Sequence, residues 1–349
     1  MDVAKYYHRK RQSKRNMTAR EPSLLTSSQI DKHYPVIIIG GGPAGVSALL
    51  GFLEAKISAL LINDREHMGG QLASIPSAVE NFALGTYVNG AAAAEALNLN
   101  LSKQAALLLK AEVKALESRQ PLRLLVGTKE QEFHLTCDYL IIATGYRERK
   151  LSLSPQQLCE QVIYHQDDDD DDGVPPAKNK NGMLEKESKP AIAIIGGGDS
   201  ALLKALKLAE TNAHVHIIHR SSTFRARPDV IAAIKKTPNI SFELNSSVTR
   251  LLGKDRIEAI EINGRRTMAI DHLLAKIGYL PNTEFLNSQL VDASGHIPVN
   301  AAMQSCQPNI LAAGDITAGS FPRIATAVGQ GMTAAATVIN KLFSAAQSE

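Results

Sequence analysis

Cysteine is scarce in this chain: three residues in 349, at Cys137, Cys159 and Cys306. They are too few and too scattered for a disulfide scaffold or a zinc site, and no two of them form a C-x-x-C pair. No stretch approaches 18 uninterrupted apolar residues, which excludes a membrane-spanning helix. The first twenty residues lack the apolar core of a secretory signal, so a cytoplasmic protein is the expectation. Net charge is small, +3. Apolar residues make up 44% of the chain and charged residues 21%, the balance of a soluble globular protein long enough for two domains.

The small total hides two opposed segments. Residues 1–20 hold seven basic side chains against one acid, Asp2. Like charges repel and little there can pack, so residues 1–34 read as a disordered basic tail. A tether to nucleic acid or an acidic membrane is the alternative, and no nucleic-acid partner or membrane span is expected. Met17 offers an alternative start. The opposite run is six consecutive aspartates, 167–172, leading into a Pro-, Lys- and Asn-rich stretch. A mobile surface loop over about 167–189 is expected. The aspartates have no EF-hand spacing, and no metal site is assigned.

Between these segments, short β-branched runs alternate with helical stretches. Residues 35–39 (PVIII) precede a glycine cluster and an alanine- and leucine-rich helix, and 58–62 (SALLI) supply a second strand. The pattern recurs at 191–195 (AIAII), a second glycine cluster, a helix and 215–218 (VHII). Strand–glycine turn–helix–strand, occurring twice, predicts an α/β protein with two βαβ units in two nucleotide-binding domains.

The first cluster satisfies G-x-G-x-x-G through Gly40, Gly42 and Gly45, with Pro43 and Ala44 between. The first glycine allows a tight turn, the second lets backbone approach a pyrophosphate, and the third lets helix pack on strand. The helix N-terminus then offers free N–H groups and its positive dipole end. At the end of the second strand, Asn63 and Asp64 are both able to hydrogen-bond a ribose. The second cluster runs Gly196, Gly197, Gly198, Asp199, Ser200, Ala201, a G-x-G-x-x-A version. After its second strand come His219, Arg220 and, five residues on, Arg225. Where an NAD site places an acid, this chain places guanidinium groups suited to the 2′-phosphate of NADP, so NADPH is favoured over NADH.

With these pieces in family order over about residues 35–342, the sequence resembles the low-molecular-weight thioredoxin reductase family of flavoproteins. The resemblance continues through Gly69-Gly70-Gln71-Leu72, Asn81, Ala143-Thr144-Gly145, residues 278–283, Gly314-Asp315, and Arg323-Ile324-Ala325. It implies two Rossmann-like three-layer domains, an NADPH domain (149–278) inserted in a split FAD domain (35–148 and 279–349). It also implies FAD pyrophosphate on the first turn, and Gly70, Gln71, Leu72 and Asn81 lining the flavin pocket. Thr144 and Gly145 would lie at the cofactor, Asp315 near the ribityl or pyrophosphate region, and Arg323, Ile324 and Ala325 beside the isoalloxazine ring. A homodimer is implied as well.

One family feature is missing. Members reducing thioredoxin carry a redox C-x-x-C before the second glycine cluster; here that position reads Tyr164, His165, Gln166. Neither tyrosine nor histidine exchanges with disulfides, and Cys159 has no neighbouring thiol to resolve with. The chain is therefore expected to be an FAD-dependent NADPH oxidoreductase with no catalytic side chain of its own, the flavin carrying the chemistry. Its electrons would pass to a non-dithiol acceptor such as ferredoxin or flavodoxin, as in the thioredoxin-reductase-like ferredoxin/flavodoxin–NADP reductases that this sequence also resembles. The alternatives are a thioredoxin-disulfide reductase using non-motif cysteines and a flavin-binding redox sensor with little turnover.

Overall fold

The structure, a computed structural model, describes residues 23–24, 32–75, 78–83, 85–119, 121–164 and 189–347. Most of the basic segment and the whole aspartate run lie outside the described residues. The chain divides into two compact units, Met1–Arg147 with Leu280–Glu349 and Glu148–Tyr279. Each is a Rossmann-like α/β layer structure, the second inserted in the first.

The first unit starts with β1 (His33–Ile39), α1 (Pro43–Glu54) and β2 (Ala59–Asn63). Then follow α2 (Gly90–Ser102), β3 (Leu107–Lys110), β4 (Glu112–Arg119), β5 (Leu122–Gly127) and β6 (Glu132–Ile142). β3, β2, β1 and β6 run parallel in that spatial order, and β5 and β4 continue the sheet antiparallel. Ser23–Leu24, part of the segment read as a tail, pairs with β3 at the edge.

Alternation in β1 sets the layers. Val36 and Ile38 face α1 and the C-terminal helix, in a core with Leu49, Phe52, Leu61 and Val338. Ile37 and Ile39 face the opposite way, against Leu60, Leu124, Leu135 and Leu290. A strand buried on both faces reads as an unbroken apolar run, which is why PVIII shows no polar alternation. Burying each of these side chains contributes about 1.5–3 kcal/mol.

The second unit repeats the plan at smaller scale. Its strands are β7 (Ala191–Ile195), β8 (His214–Ile218) and β9 (Ile240–Glu243), with helices α3 (Asp199–Glu210) and α4 (Pro228–Lys236) between them. A three-stranded antiparallel sheet follows: β10 (Val248–Leu252), β11 (Ala259–Ile262) and β12 (Arg266–Ala269). β13 (His272–Ala275) then returns to pair parallel with β7, giving the order β9-β8-β7-β13. Helices α3 and α4 cover one face through Leu202, Leu208 and Ile234. The antiparallel sheet covers the other through Leu251, Ile260 and Ile262.

The chain re-enters the first unit and ends with β14 (Ile310–Ala312), parallel to β6, and α5 (Ile324–Gln347). α5 lies against α1, and the contact depends on Gly331. A β-carbon at that position would stand 2.1 Å from the Ala44 carbonyl oxygen. Gly329, two residues earlier on α5, has open space instead. Gly331→Leu is therefore expected to push the helices apart and cost about 2 kcal/mol or more. Gly329→Ala is expected to stabilise by roughly 0.5–1 kcal/mol through helix propensity. Chemical denaturation of both variants checks the opposite signs.

Candidate functional site

In the first unit, β1 ends where Gly40 turns with φ +107°. A β-carbon on Gly40 would lie 2.3 Å from the Ala143 oxygen, and one on Gly45 would lie 1.9 Å from the Gly40 oxygen. Both positions need glycine because backbone occupies the space a side chain would take. At Gly42 the opposite holds: a β-carbon would meet nothing within 4 Å. Gly42 is the N-cap of α1, no side chain caps it, and Pro43 occupies the first turn. α2 differs, because the Asn89 side chain accepts from Ala92 N at 2.9 Å and closes that helix start. The start of α1 thus keeps uncapped N–H groups and a positive dipole end beside open space, the chemistry an anion requires.

Asn63, at the end of β2, holds this turn from beneath. Its Oδ1 accepts from Gly41 N at 3.1 Å, and its Nδ2 donates to Arg65 O at 2.8 Å and His67 O at 3.4 Å. Asn63 is buried and its amide is committed to the protein backbone. Asp64, the next residue, is exposed.

Most of the other sequence-identified residues of this unit gather around the turn. Gly69 N donates to Gly41 O at 2.7 Å, and Gly70 lies against Gly42. Leu72 packs in a small cluster with Ala93, Ala94 and Ile324 of α5. Gln71 Nε2 donates to the carbonyl of Tyr146, just past Thr144 and Gly145. Thr144 is clasped by Asn282: Thr144 Oγ1 donates to Asn282 O and Asn282 Nδ2 donates to Thr144 O, both at 2.8 Å. After β14, Gly314 approaches Ala44, and its N–H donates to Gln330 Oε1 at 2.8 Å. Asp315 is half-buried, and desolvation pushes its carboxyl above the usual range, partly offset by a hydrogen bond from the Tyr146 phenol.

Three more of these residues lie at the surface. Asn81 and Ala325 are exposed, and Arg323 lies with its guanidinium 4.3 Å from the Phe321 ring centre, donating to Pro322 O.

The second turn rests on different residues. A β-carbon on Gly196 would meet Lys276 O at 2.6 Å, while Gly198, the uncapped N-cap of α3, faces open space. Ser200 is exposed in the first helical turn, and Ala201 is buried against the strand. His219 is also buried, its ring under Gly197 and its Nε2 3.0 Å from Thr223 O. It fills the place that Asn63 fills in the first unit. Arg225 N donates to Gly197 O at 2.7 Å, and Arg227 N donates to Asp199 Oδ1 at 2.8 Å. These bonds fold the basic loop back over the turn. Arg220 and Arg225 are exposed there, with no ion pair among the described residues.

The cysteines do not form a redox pair: all three thiols are free. Cys159 is buried, with Sγ 3.3 Å from Leu153 O. Cys137 is buried too, and desolvation raises its pKa strongly. Tyr164 is buried, its hydroxyl accepting from Leu151 N at 2.7 Å and its ring under the Lys150 ammonium at 3.8 Å. Burial pushes the Tyr164 phenol pKa up as well. His165 and Gln166 lie outside the described residues.

Comparison with known proteins gives the same picture at whole-chain scale. A family model described as pyridine nucleotide-disulphide oxidoreductase matches residues 34–331. The chain is 29% identical over 321 residues to a thioredoxin reductase of Treponema pallidum (strain Nichols), covering 88% of this chain and 96% of that protein. A thioredoxin reductase of Chlamydia pneumoniae is 30% identical over 319 residues, covering 87% and 97%. Among solved structures, Lactococcus lactis thioredoxin reductase matches with a TM-score of 0.69 at 26% identity, covering 89% of this chain and 99% of that one.

The two neighbours at the end of β2 differ in what the fold asks of them, one buried and bonded and the other exposed. Asn63→Ala is expected to cost about 1–3 kcal/mol, because it strands the buried Gly41 N–H. Asp64→Ala is expected to change stability by less than about 0.5 kcal/mol. Urea unfolding of the two variants checks the contrast.

Proposed function

This chain belongs to the pyridine nucleotide-disulphide oxidoreductase family, as an FAD-dependent NADPH oxidoreductase of the thioredoxin-reductase-like kind, and we propose that it delivers electrons from NADPH to an acceptor other than a protein disulfide. The observation that carries this reading is the thiol inventory. Three free cysteines include no C-x-x-C, and Cys159 is buried against Leu153 O. Thiol–disulfide exchange needs an accessible thiolate with a resolving partner; Cys159 is buried, and the exposed Cys306 has no second cysteine near it in sequence. A small electron carrier such as ferredoxin or flavodoxin is the acceptor class. A homodimer belongs to the same reading.

The first unit is the FAD-binding domain and the second the NADPH-binding domain. FAD, when bound, supplies a redox ring that exchanges a hydride with NADPH and electrons with the acceptor. The residues of the chain bind and orient. The open start of α1 at Gly42 takes the pyrophosphate, with Gly40 and Gly45 permitting the approach and Asp64 accepting from the adenosine ribose. Gly70, Gln71, Leu72, Asn81, Thr144, Gly145, Gly314 and Asp315 wall the flavin nucleotide, and Arg323, Ile324 and Ala325 flank its ring. In the second unit the start of α3 at Gly198 and Ser200 takes the NADPH pyrophosphate. Arg220 and Arg225 fork the 2′-phosphate, while His219 and Asp199 hold their loop in place.

Two measurements on the full-length holoprotein test the reading. Steady-state NADPH oxidation is expected with ferredoxin or flavodoxin and not with thioredoxin, in a panel that includes quinone and oxygen. Monobromobimane labelling is expected to find the same thiols before and after NADPH. New thiols together with turnover on thioredoxin would return the assignment to a disulfide reductase working through Cys159. The double variant Arg220→Ala/Arg225→Ala is expected to raise KM for NADPH tenfold or more and leave KM for NADH within about twofold, from the loss of charge-assisted bonds to phosphate.

A further inference from the structure

In the second unit the chain leaves β7 in one direction, through α3 to β8 and α4 to β9, and later returns to lay β13 along the other edge of β7. The crevice at the ends of β7 and β13 is therefore where the strand order switches, the place where open parallel sheets take ligands. Gly196 closes β7 on that crevice and Lys276 closes β13. The two are packed together: Lys276 N donates to Ile195 O at 2.8 Å, and a β-carbon on Gly196 would lie 2.6 Å from Lys276 O. Ile163 extends the sheet through a parallel bridge to Leu274, and the Lys276 ammonium donates to Tyr164 O at 2.7 Å. This half-buried cation makes no ion pair among the described residues. The other lysine at Tyr164, Lys150 over its ring, is matched by Glu148 at 3.7 Å.

We infer that Lys276 sets the preference of the second unit for the reduced form of its dinucleotide, by placing a positive charge where the nicotinamide ring lies. The inference rests on the proposal that this unit holds NADPH. With the pyrophosphate at the start of α3, past the end of β7, and the 2′-phosphate at Arg220 and Arg225 after β8, the adenosine half covers the β8 side. The nicotinamide half then runs the other way, across Gly196 to the end of β13, where Lys276 stands. The two redox forms differ there in charge: the reduced ring is neutral and the oxidised ring is a pyridinium cation. A fixed ammonium repels the second and not the first. Its partner is a backbone carbonyl, which holds the ammonium in place without bringing the negative charge that would cancel the repulsion. A carboxylate at this position would act in the opposite sense and retain the oxidised form.

The test is equilibrium binding, by calorimetry, to the full-length oxidised holoprotein. Three probes that cannot reduce the flavin are used: NADP⁺, tetrahydro-NADP with its neutral ring, and adenosine 2′,5′-bisphosphate, which lacks the nicotinamide half. Lys276→Met is expected to shift the affinity ratio toward NADP⁺ and away from tetrahydro-NADP by about threefold or more, the size of a like-charge contact across roughly 6 Å of a water-like medium. Affinity for the bisphosphate is expected to stay within about twofold, because sites that share no partner act independently. Lys276→Arg keeps the charge and is expected to keep the wild-type ratio. An unchanged ratio in Lys276→Met overturns the inference, and so does an equal shift in Lys276→Arg. Equal weakening of both dinucleotides, with or without the bisphosphate, makes Lys276 a phosphate or structural contact and overturns it as well. If none of the three probes binds the wild type, the assignment of this unit to NADPH fails first and the inference with it. Thermal unfolding accompanies each variant. Should Lys276→Met not fold, Lys276→Gln repeats the measurement, and failure of both to fold makes Lys276 a packing residue and overturns the assignment.

Discussion

Helix α1 can start directly above the end of β1 because Gly45 has no β-carbon, its place lying 1.9 Å from the Gly40 oxygen. Everything around the first turn depends on that close approach. It aims the start of the helix at the open space over Gly42, and it brings Ala44 near enough to α5 that Gly331 must also lack a side chain. Gly314, after β14, then reaches Ala44 from the other direction. One sequence-local constraint thereby sets the positions of elements nearly three hundred residues apart.

The second unit meets the same constraint with other means. Gly196 supplies the tight turn, but Ala201 replaces the third glycine and packs its methyl against the strand. Beneath the middle glycine, the imidazole of His219 takes the place of the Asn63 amide. The consequence is electrostatic as well as steric. The residue after the support is Asp64 in one unit and Arg220 in the other, so two similar turns present opposite charges to whatever lies over them. Asp199, an acid at the start of α3, is kept off the open side because it accepts from Arg227 N.

The two strand–turn–helix units were legible in the sequence because each is local: a buried strand, a glycine pattern of six residues and a helix cannot be far apart in space. The runs 35–39 and 191–195 lie within β1 and β7, and β1 begins earlier, at His33, where the imidazole meets Thr136 Oγ1 at 3.0 Å. The supporting contacts were not legible. Asn63 and Asp64 look interchangeable as ribose partners in one dimension, and only the fold shows that the Asn63 amide is spent on Gly41, 22 residues away. Likewise His219 reads as part of a basic stretch, although the fold buries its ring and leaves Arg220 outside. The signal that could have found Asn63 is weak but physical: a polar residue closing an apolar strand, ALLIN, beside a turn whose N–H groups need partners.

The distribution of sulfur has a practical reach beyond electron transfer. Cys137 and Cys159 are buried in separate units, whereas Cys306 is exposed on the first. A maleimide dye applied to the folded protein should therefore attach at one place without any engineered mutation. The natural sequence thus carries its own single anchor for a fluorescent reporter, fixed to the larger unit.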